Sequence, residues 1–187
     1  MLSLSAHKLY GPKGIGALYV SHRVRNELRP IIHGGGQEGG LRSGTLPTPL
    51  CVGFGAAVEI MGSRLPEDIV SYQVSRDLFL GTLRSCGMDF HINGSERGHR
   101  GNLNLRLPDV DAEMLLMNLQ PRLAVSMGSA CSSGIPEPSH VLRAIGLTAE
   151  QAGECIRVSF GRFTTAEQAS AAAIFLSEMA KAFAHAL

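Results

Sequence analysis

From about residue 90 to the end of the chain, short β-like runs and helix-like runs alternate, and most helix starts carry a cap. That arrangement restricts the fold more than any other feature, because strands alternating with helices bury one face of each helix on a sheet. Residues 90–93 and 102–107 read as strands. Asp111 caps a helix over 112–119, and 123–126 reads as another strand. Pro138-Ser139 opens a helix over 140–144 that Gly146 stops, and Thr148 caps a second short helix. Residues 155–160 form a strand. Thr165 caps a last helix over 166–184, with Glu167 in its first turn.

The first third is organised differently. Residues 2–5 read as a strand whose neighbour is expected in an upstream segment. Residues 14–20 form an apolar run between glycines, read as a buried strand. A glycine-rich loop covers 33–45. From Pro49 the pattern turns helical, and Pro66 is expected to restart a second helix that ends at Gly87. A boundary is expected near residue 64, between loop-rich sequence and compact β/α units.

Composition removes several function classes. Apolar residues are 44% and charged residues 18%, ordinary for a globular chain of 187 residues. The formal net charge of +1 gives no footprint for nucleic acid or membrane surfaces. No run approaches transmembrane length and no secretion segment is evident, so a cytoplasmic protein is expected. Cys51, Cys86, Cys131 and Cys155 form neither C-x-x-C pairs nor zinc spacing, so no intrinsic metal site is expected. Cys51, Cys86 and Cys155 are expected to be largely buried, and Cys131 exposed.

Four segments carry chemistry. Ser5-Ala6-His7-Lys8 lies where a strand meets a loop. A lysine there is either solvated or a partly desolvated amine suited to a Schiff base with pyridoxal phosphate, with Ser5 and His7 near the phosphate. Arg42-Ser43-Gly44-Thr45 supplies a cation and two hydroxyls on the glycine-rich stretch. Gly128-Ser129-Ala130-Cys131-Ser132-Ser133-Gly134 surrounds one cysteine with small residues, which suits either a travelling nucleophile or an ordinary loop cysteine. Arg157 lies among β-formers, where it faces solvent or grips a carboxylate. Gly11-Pro12-Lys13-Gly14 is a tight turn, not a P-loop, and His33-Gly34-Gly35-Gly36 has no G-x-S-x-G partner for an oxyanion role.

Taken in order, these segments resemble the group I (NifS/IscS-like) cysteine desulfurases of the class V aminotransferase family. The resemblance runs from Ser5-Ala6-His7-Lys8-Leu9-Tyr10-Gly11-Pro12-Lys13-Gly14 through His33-Gly34-Gly35-Gly36-Gln37-Glu38 and Arg42-Ser43-Gly44-Thr45. It continues with Gly128-Ser129-Ala130-Cys131 and Pro138-Ser139-His140-Val141-Leu142, and ends with Ile156-Arg157-Val158-Ser159-Phe160-Gly161-Arg162-Phe163-Thr164-Thr165.

The resemblance implies an α/β chain that is part of a fold-type I pyridoxal-phosphate transferase. Residues 1–64 would end the large cofactor domain, and 65–187 would form the small C-terminal domain with an antiparallel sheet. It implies removal of sulfur from L-cysteine to give L-alanine and an enzyme persulfide for iron–sulfur cluster assembly or other sulfur transfer. Lys8 would carry the pyridoxal 5'-phosphate and move the substrate Cα proton. Ser5 and His7 would bind the phosphate, and Thr45 would reach the cofactor of a partner subunit in a homodimer. Cys131 would take the sulfur and serve transiently as an iron–sulfur ligand, and Arg157 would hold the substrate carboxylate. A sulfur-acceptor or iron–sulfur scaffold protein is the expected partner. The family also has an upstream half, carrying a ring-stacking histidine and a ring-nitrogen aspartate, that this sequence lacks. The chain alone is therefore expected to be inactive. Competing expectations are a non-catalytic remnant and another class V enzyme such as a selenocysteine lyase. The glycine-flanked Cys131 disfavours a plain aminotransferase, and its lack of histidine-rich context disfavours the lyase.

Overall fold

The computed structural model describes residues 1–95, 97–127 and 139–184. They divide into two compact units, Met1–Pro66 and Glu67–Leu187.

In the first unit, β1 (Leu2–Ser5) and β2 (Gly16–Tyr19) form an antiparallel pair with Leu2 opposite Tyr19 and Ser5 opposite Gly16. One strand neighbour of β1 is thus downstream in the same chain. Gly16 permits the close approach, since a Cβ there would lie 2.6 Å from the Leu4 carbonyl oxygen. The β2 strand is exposed along its length, not buried as its apolar run suggested. The pair is only two strands wide, and neither strand buries a residue.

One helix, α1 (Thr48–Ser85), replaces the two expected helices, with Pro66 inside it. Proline removes a single donor and crowds the carbonyl four residues back. That residue is Gly62, which adds no side chain to the crowding. Beyond Pro66 the helix repeats buried residues at Asp68, Tyr72, Ser75, Phe79 and Leu83, spacings of three and four that hold one face inward. The helix ends at Gly87 (φ 69°), where the Met88 N–H donates to the Leu83 carbonyl.

In the second unit, β3 (His91–Asn93), β4 (Asn102–Arg106) and β5 (Cys155–Ser159) form an antiparallel sheet with β4 in the centre. Between β4 and β5 the chain runs through α2 (Ala112–Leu119), α3 (His140–Ala144) and α4 (Ala149–Gly153), and it finishes in α5 (Ala166–Ala184). The caps act as expected. Asp111 accepts from the N–H groups of Glu113 and Met114, and Thr148 and Gln151 form a reciprocal capping box. Thr165 and Gln168 make the same exchange at the start of α5.

Leu103 and Leu105 of β4, with Ile156 and Val158 of β5, point to one face of the sheet. Phe79 and Leu83 of α1, Leu115 and Leu119 of α2, and Ala173 and Leu176 of α5 belong to the same core. Residues 123–126 do not form the expected strand. Leu123, Val125 and Met127 turn toward the core, and only Ser126 bridges β5, at Arg157. No helix among the described residues is long and apolar enough to cross a membrane.

Candidate functional site

Ser5, His7 and Lys8 are brought together by one short turn. Chain leaving β1 enters a 3-10 turn, Ala6–Leu9, closed by Tyr10 in the left-handed conformation (φ 63°). The turn is fixed through its backbone. The Ala6 N–H donates to the Ile15 carbonyl at 3.1 Å, and the Gly11 N–H donates to the Ala6 carbonyl at 2.9 Å. A Cβ on Gly11 would lie 3.0 Å from that oxygen and 3.1 Å from Ala57 Cβ, so glycine lets the turn seat against α1. Ala6 is the residue this turn buries. Ser5, His7 and Lys8 are exposed. Lys8 makes no hydrogen bond or ion pair among the described residues.

Thr45 is exposed at the exit of the glycine-rich loop in the same unit. The loop is clasped from within. Ser43, 5% exposed, accepts from the Gly36 N–H at 3.3 Å, and the Gln37 side chain accepts from the Gly44 N–H at 3.0 Å. Arg42 donates to the Ser43 carbonyl at 2.8 Å. Gly44 has φ 129°, a conformation that strains an L side chain, so this position favours glycine. The Ser43 hydroxyl therefore serves the loop, whereas Thr45 stays presented.

Arg157 lies mid-way along β5 in the second unit, half-buried, on the sheet face opposite the core. It stands opposite Asn104 on one side. On the other it exchanges two backbone hydrogen bonds with Ser126, at 2.5 and 3.1 Å. Asn93 of β3 stands opposite Asn104, so Asn93, Asn104, Arg157 and Ser126 form one polar row across the sheet. Sequence reasoning passed over both asparagines. The signal was available in the Asn102-Leu103-Asn104-Leu105-Arg106 alternation, which sends leucines to the core and polar side chains to the other face.

Cys131 falls in 128–138, outside the described residues, so its expected exposure and its companion Pro138 are not addressed by the geometry. Of the other thiols, Cys155 is fully buried as expected. Burial pushes its thiol up, against the lowering effects of the Asn93 hydrogen bond and the Arg106 charge. Cys51 and Cys86 are half-buried instead. Each sits near an end of α1, where packing is incomplete. The Cys86 carbonyl accepts from the Lys181 amine.

An ion pair holds the chain just after β5. Arg162, just after the strand, grips Asp68 of α1 with Nε 3.0 Å from both carboxylate oxygens and Nη2 2.5 Å from Oδ2.

The aminotransferase class-V family matches residues 1–171. The chain belongs to the aminotransferase class-V family. Among its class-V relatives, the cysteine desulfurase IscS of Rickettsia typhi is 47% identical over 169 residues, covering 90% of this chain and 41% of the relative. The IscS of Tolumonas auensis is 52% identical over 170 residues, with the same coverage. A solved NifS-like protein superposes with a TM-score of 0.80 at 32% identity, over 98% of this chain and 46% of its own. The chain thus spans about two-fifths of the length of the curated class-V relatives it matches.

Proposed function

We propose that this chain supplies the lysine and the acceptor thiol of a pyridoxal-phosphate-dependent cysteine desulfurase. The observation that carries the reading is the exposed Lys8 amine on a backbone-locked turn, flanked by Ser5 and His7. It is supported by relatives named cysteine desulfurase.

The residues present fit the cofactor. Lys8 is a primary amine with no competing described partner, and Ser5 and His7 add hydroxyl and ring N–H donors for a phosphate on the same turn. When bound, pyridoxal phosphate supplies the electron sink that stabilises charge left at the substrate Cα. Lys8 moves the proton at that carbon. Arg157 binds the α-carboxylate of L-cysteine, where a guanidinium can make two parallel hydrogen bonds. The Cys131 thiolate attacks the substrate sulfur. The carbon–sulfur bond breaks as a sulfur–sulfur bond forms, so L-cysteine and a thiol become L-alanine and a persulfide. That persulfide is passed on to an acceptor or iron–sulfur scaffold protein, with Cys131 available as a transient iron–sulfur ligand.

The rest of the reading concerns assembly. Residues 1–64 belong to the cofactor domain and 65–187 to the small domain. Thr45 reaches the cofactor of a second subunit in a cytoplasmic homodimer.

The test is covalent trapping. Borohydride treatment of a cofactor-loaded desulfurase of family length bearing these residues should leave the pyridoxyl group on the Lys8 peptide by mass spectrometry. Lys8→Ala should lose it. A pyridoxyl group on any other lysine overturns the assignment.

A further inference from the structure

Of the asparagines in this chain, Asn93 alone is followed by glycine. Asparagine is a chemically labile residue, because the backbone nitrogen of the next residue can attack its side-chain carbonyl carbon. A side chain on that next residue crowds the attack, and glycine has none. Asn26 is followed by glutamate, and Asn102, Asn104 and Asn118 are each followed by leucine.

The fold treats the two residues of this pair differently. Asn93 is the last residue of β3, an outer strand of the three-stranded sheet. Gly94 lies just beyond the ladder and is exposed, with φ 96°. Its N–H makes no hydrogen bond to a described residue. Asn93 is half-buried, and its Nδ2 donates to Asn104 Oδ1 at 2.7 Å and to Cys155 Sγ at 3.2 Å. The Cys155 S–H donates in turn to the Gln151 carbonyl at 3.1 Å, which leaves the sulfur to accept from Asn93. Asn104 belongs to β4 and Cys155 to β5, so one amide is tied to both other strands of the sheet. The attacking nitrogen is open, and the group it would attack is clamped.

We propose that Asn93-Gly94 is a self-modification site whose rate is set by the bonds from Asn93 to Asn104 and Cys155. While both bonds hold, the side chain cannot turn its carbonyl carbon onto the Gly94 nitrogen. When β3 opens, that nitrogen attacks Asn93 Cγ. A new C–N bond forms and the amide C–N bond breaks. The NH2 group leaves as ammonia with the proton from Gly94, and a succinimide remains. Water then opens the ring at either carbonyl, giving aspartate or isoaspartate, with no oxidation or reduction. Either product carries a carboxylate that only accepts, so it can donate neither to Asn104 Oδ1 nor to Cys155 Sγ. Isoaspartate also adds a carbon to the main chain at the end of β3. The modified strand therefore does not close as before, and the change records that the sheet edge has opened.

The test incubates the purified chain in mildly alkaline buffer, folded and in urea. Mass spectrometry of the Asn93 peptide follows the amide-to-acid change, and isoaspartyl labelling identifies the second product. In urea Asn93 should convert faster than the other asparagines, and Gly94→Ala should slow it. In the folded chain Asn93 should convert about tenfold or more slowly than in urea, because β3 must open first. Asn104→Ala and Cys155→Ala each remove one bond to Asn93 and should speed the folded reaction about threefold to tenfold, with no change in urea. The two are made separately, so failure of one to fold leaves the other. Asp111→Ala weakens the start of α2 without touching Asn93 and should not speed the reaction. An Asn93 rate in urea no higher than that of Asn118 overturns the site. A folded parent as fast as the urea sample, or folded variants no faster than the parent, overturns the role of the two bonds. Equal acceleration by Asp111→Ala also overturns that role, because the reaction would then wait on unfolding of the whole unit.

Discussion

Removing the Asp68 carboxylate should destabilise the second unit far more than a surface ion pair would. The pair is held by three short N–O contacts, and the side chains of Asp68 and Arg162 are 5% and 10% exposed. At such burial both charges have lost most of their hydration, so Asp68→Ala, which removes the carboxylate bonded to a buried guanidinium, costs about 3–5 kcal/mol. Domains of this kind have about 5–15 kcal/mol in total, so the loss is a large share of it. Replacing both partners by apolar residues of similar size, Asp68→Leu with Arg162→Met, should recover most of the loss, because no charge is then stranded. Urea unfolding followed by far-UV circular dichroism reads both effects. A loss below about 1 kcal/mol for Asp68→Ala would place this pair with solvated surface bridges and refute the reasoning. The consequence reaches function because the turn being held follows β5, the strand that carries Arg157.

Asp111→Ala removes the acceptor for two N–H groups at the start of α2 and should cost about 1 kcal/mol in the same urea assay. Cys155 has its thiol raised by burial, so its contribution to stability is complete below the unfolded thiol value of about 8.5 and fades as pH rises toward the folded value. Alkaline unfolding of Cys155→Ala should therefore start later than that of the parent, and a coincident onset counts against the assignment. Glu167 is lowered by hydrogen bonds from its own backbone N–H and from Thr165. Its stabilising effect should be present above the usual glutamate value and fade as pH falls. Glu167→Gln should remove that acid dependence without changing neutral stability greatly. The 187-residue chain on its own should hold pyridoxal phosphate weakly and release little alanine from cysteine, and strong turnover by it would contradict the division of roles proposed here.

The second unit was legible wherever the signal was local. Asp111, Thr148 and Thr165 act as caps through side-chain oxygens that reach only one turn ahead, so the sequence states both partners of each bond. Leu103 and Leu105 alternate with polar neighbours, and that period of two marks a strand with one buried face. What depends on distant neighbours was not legible. The apolar stretch around β2 looks buried, but burial requires something packed on it, and sequence cannot show that. Pro66 normally breaks a helix, yet α1 runs through it. The site divides the same way. Ser5, His7 and Lys8 are one local turn and were found together. Asn93, Asn104 and Arg157 are 64 residues apart from first to last, and only strand pairing puts them in one row.

The central claim is that Cys131 takes the sulfur while Lys8 moves the proton, and one proton-NMR experiment in deuterated water separates the two. In a cofactor-loaded desulfurase of family length carrying these residues, L-cysteine is supplied as the only small thiol, and the Cα hydrogen and the alanine methyl signal are followed together. Cys131→Ser should still exchange the Cα hydrogen for deuterium, because that step uses Lys8, but should form no alanine, because a hydroxyl near neutral pH is a poor nucleophile toward sulfur. Lys8→Ala should show neither exchange nor alanine. Alanine formation at the parent rate by Cys131→Ser would contradict the account.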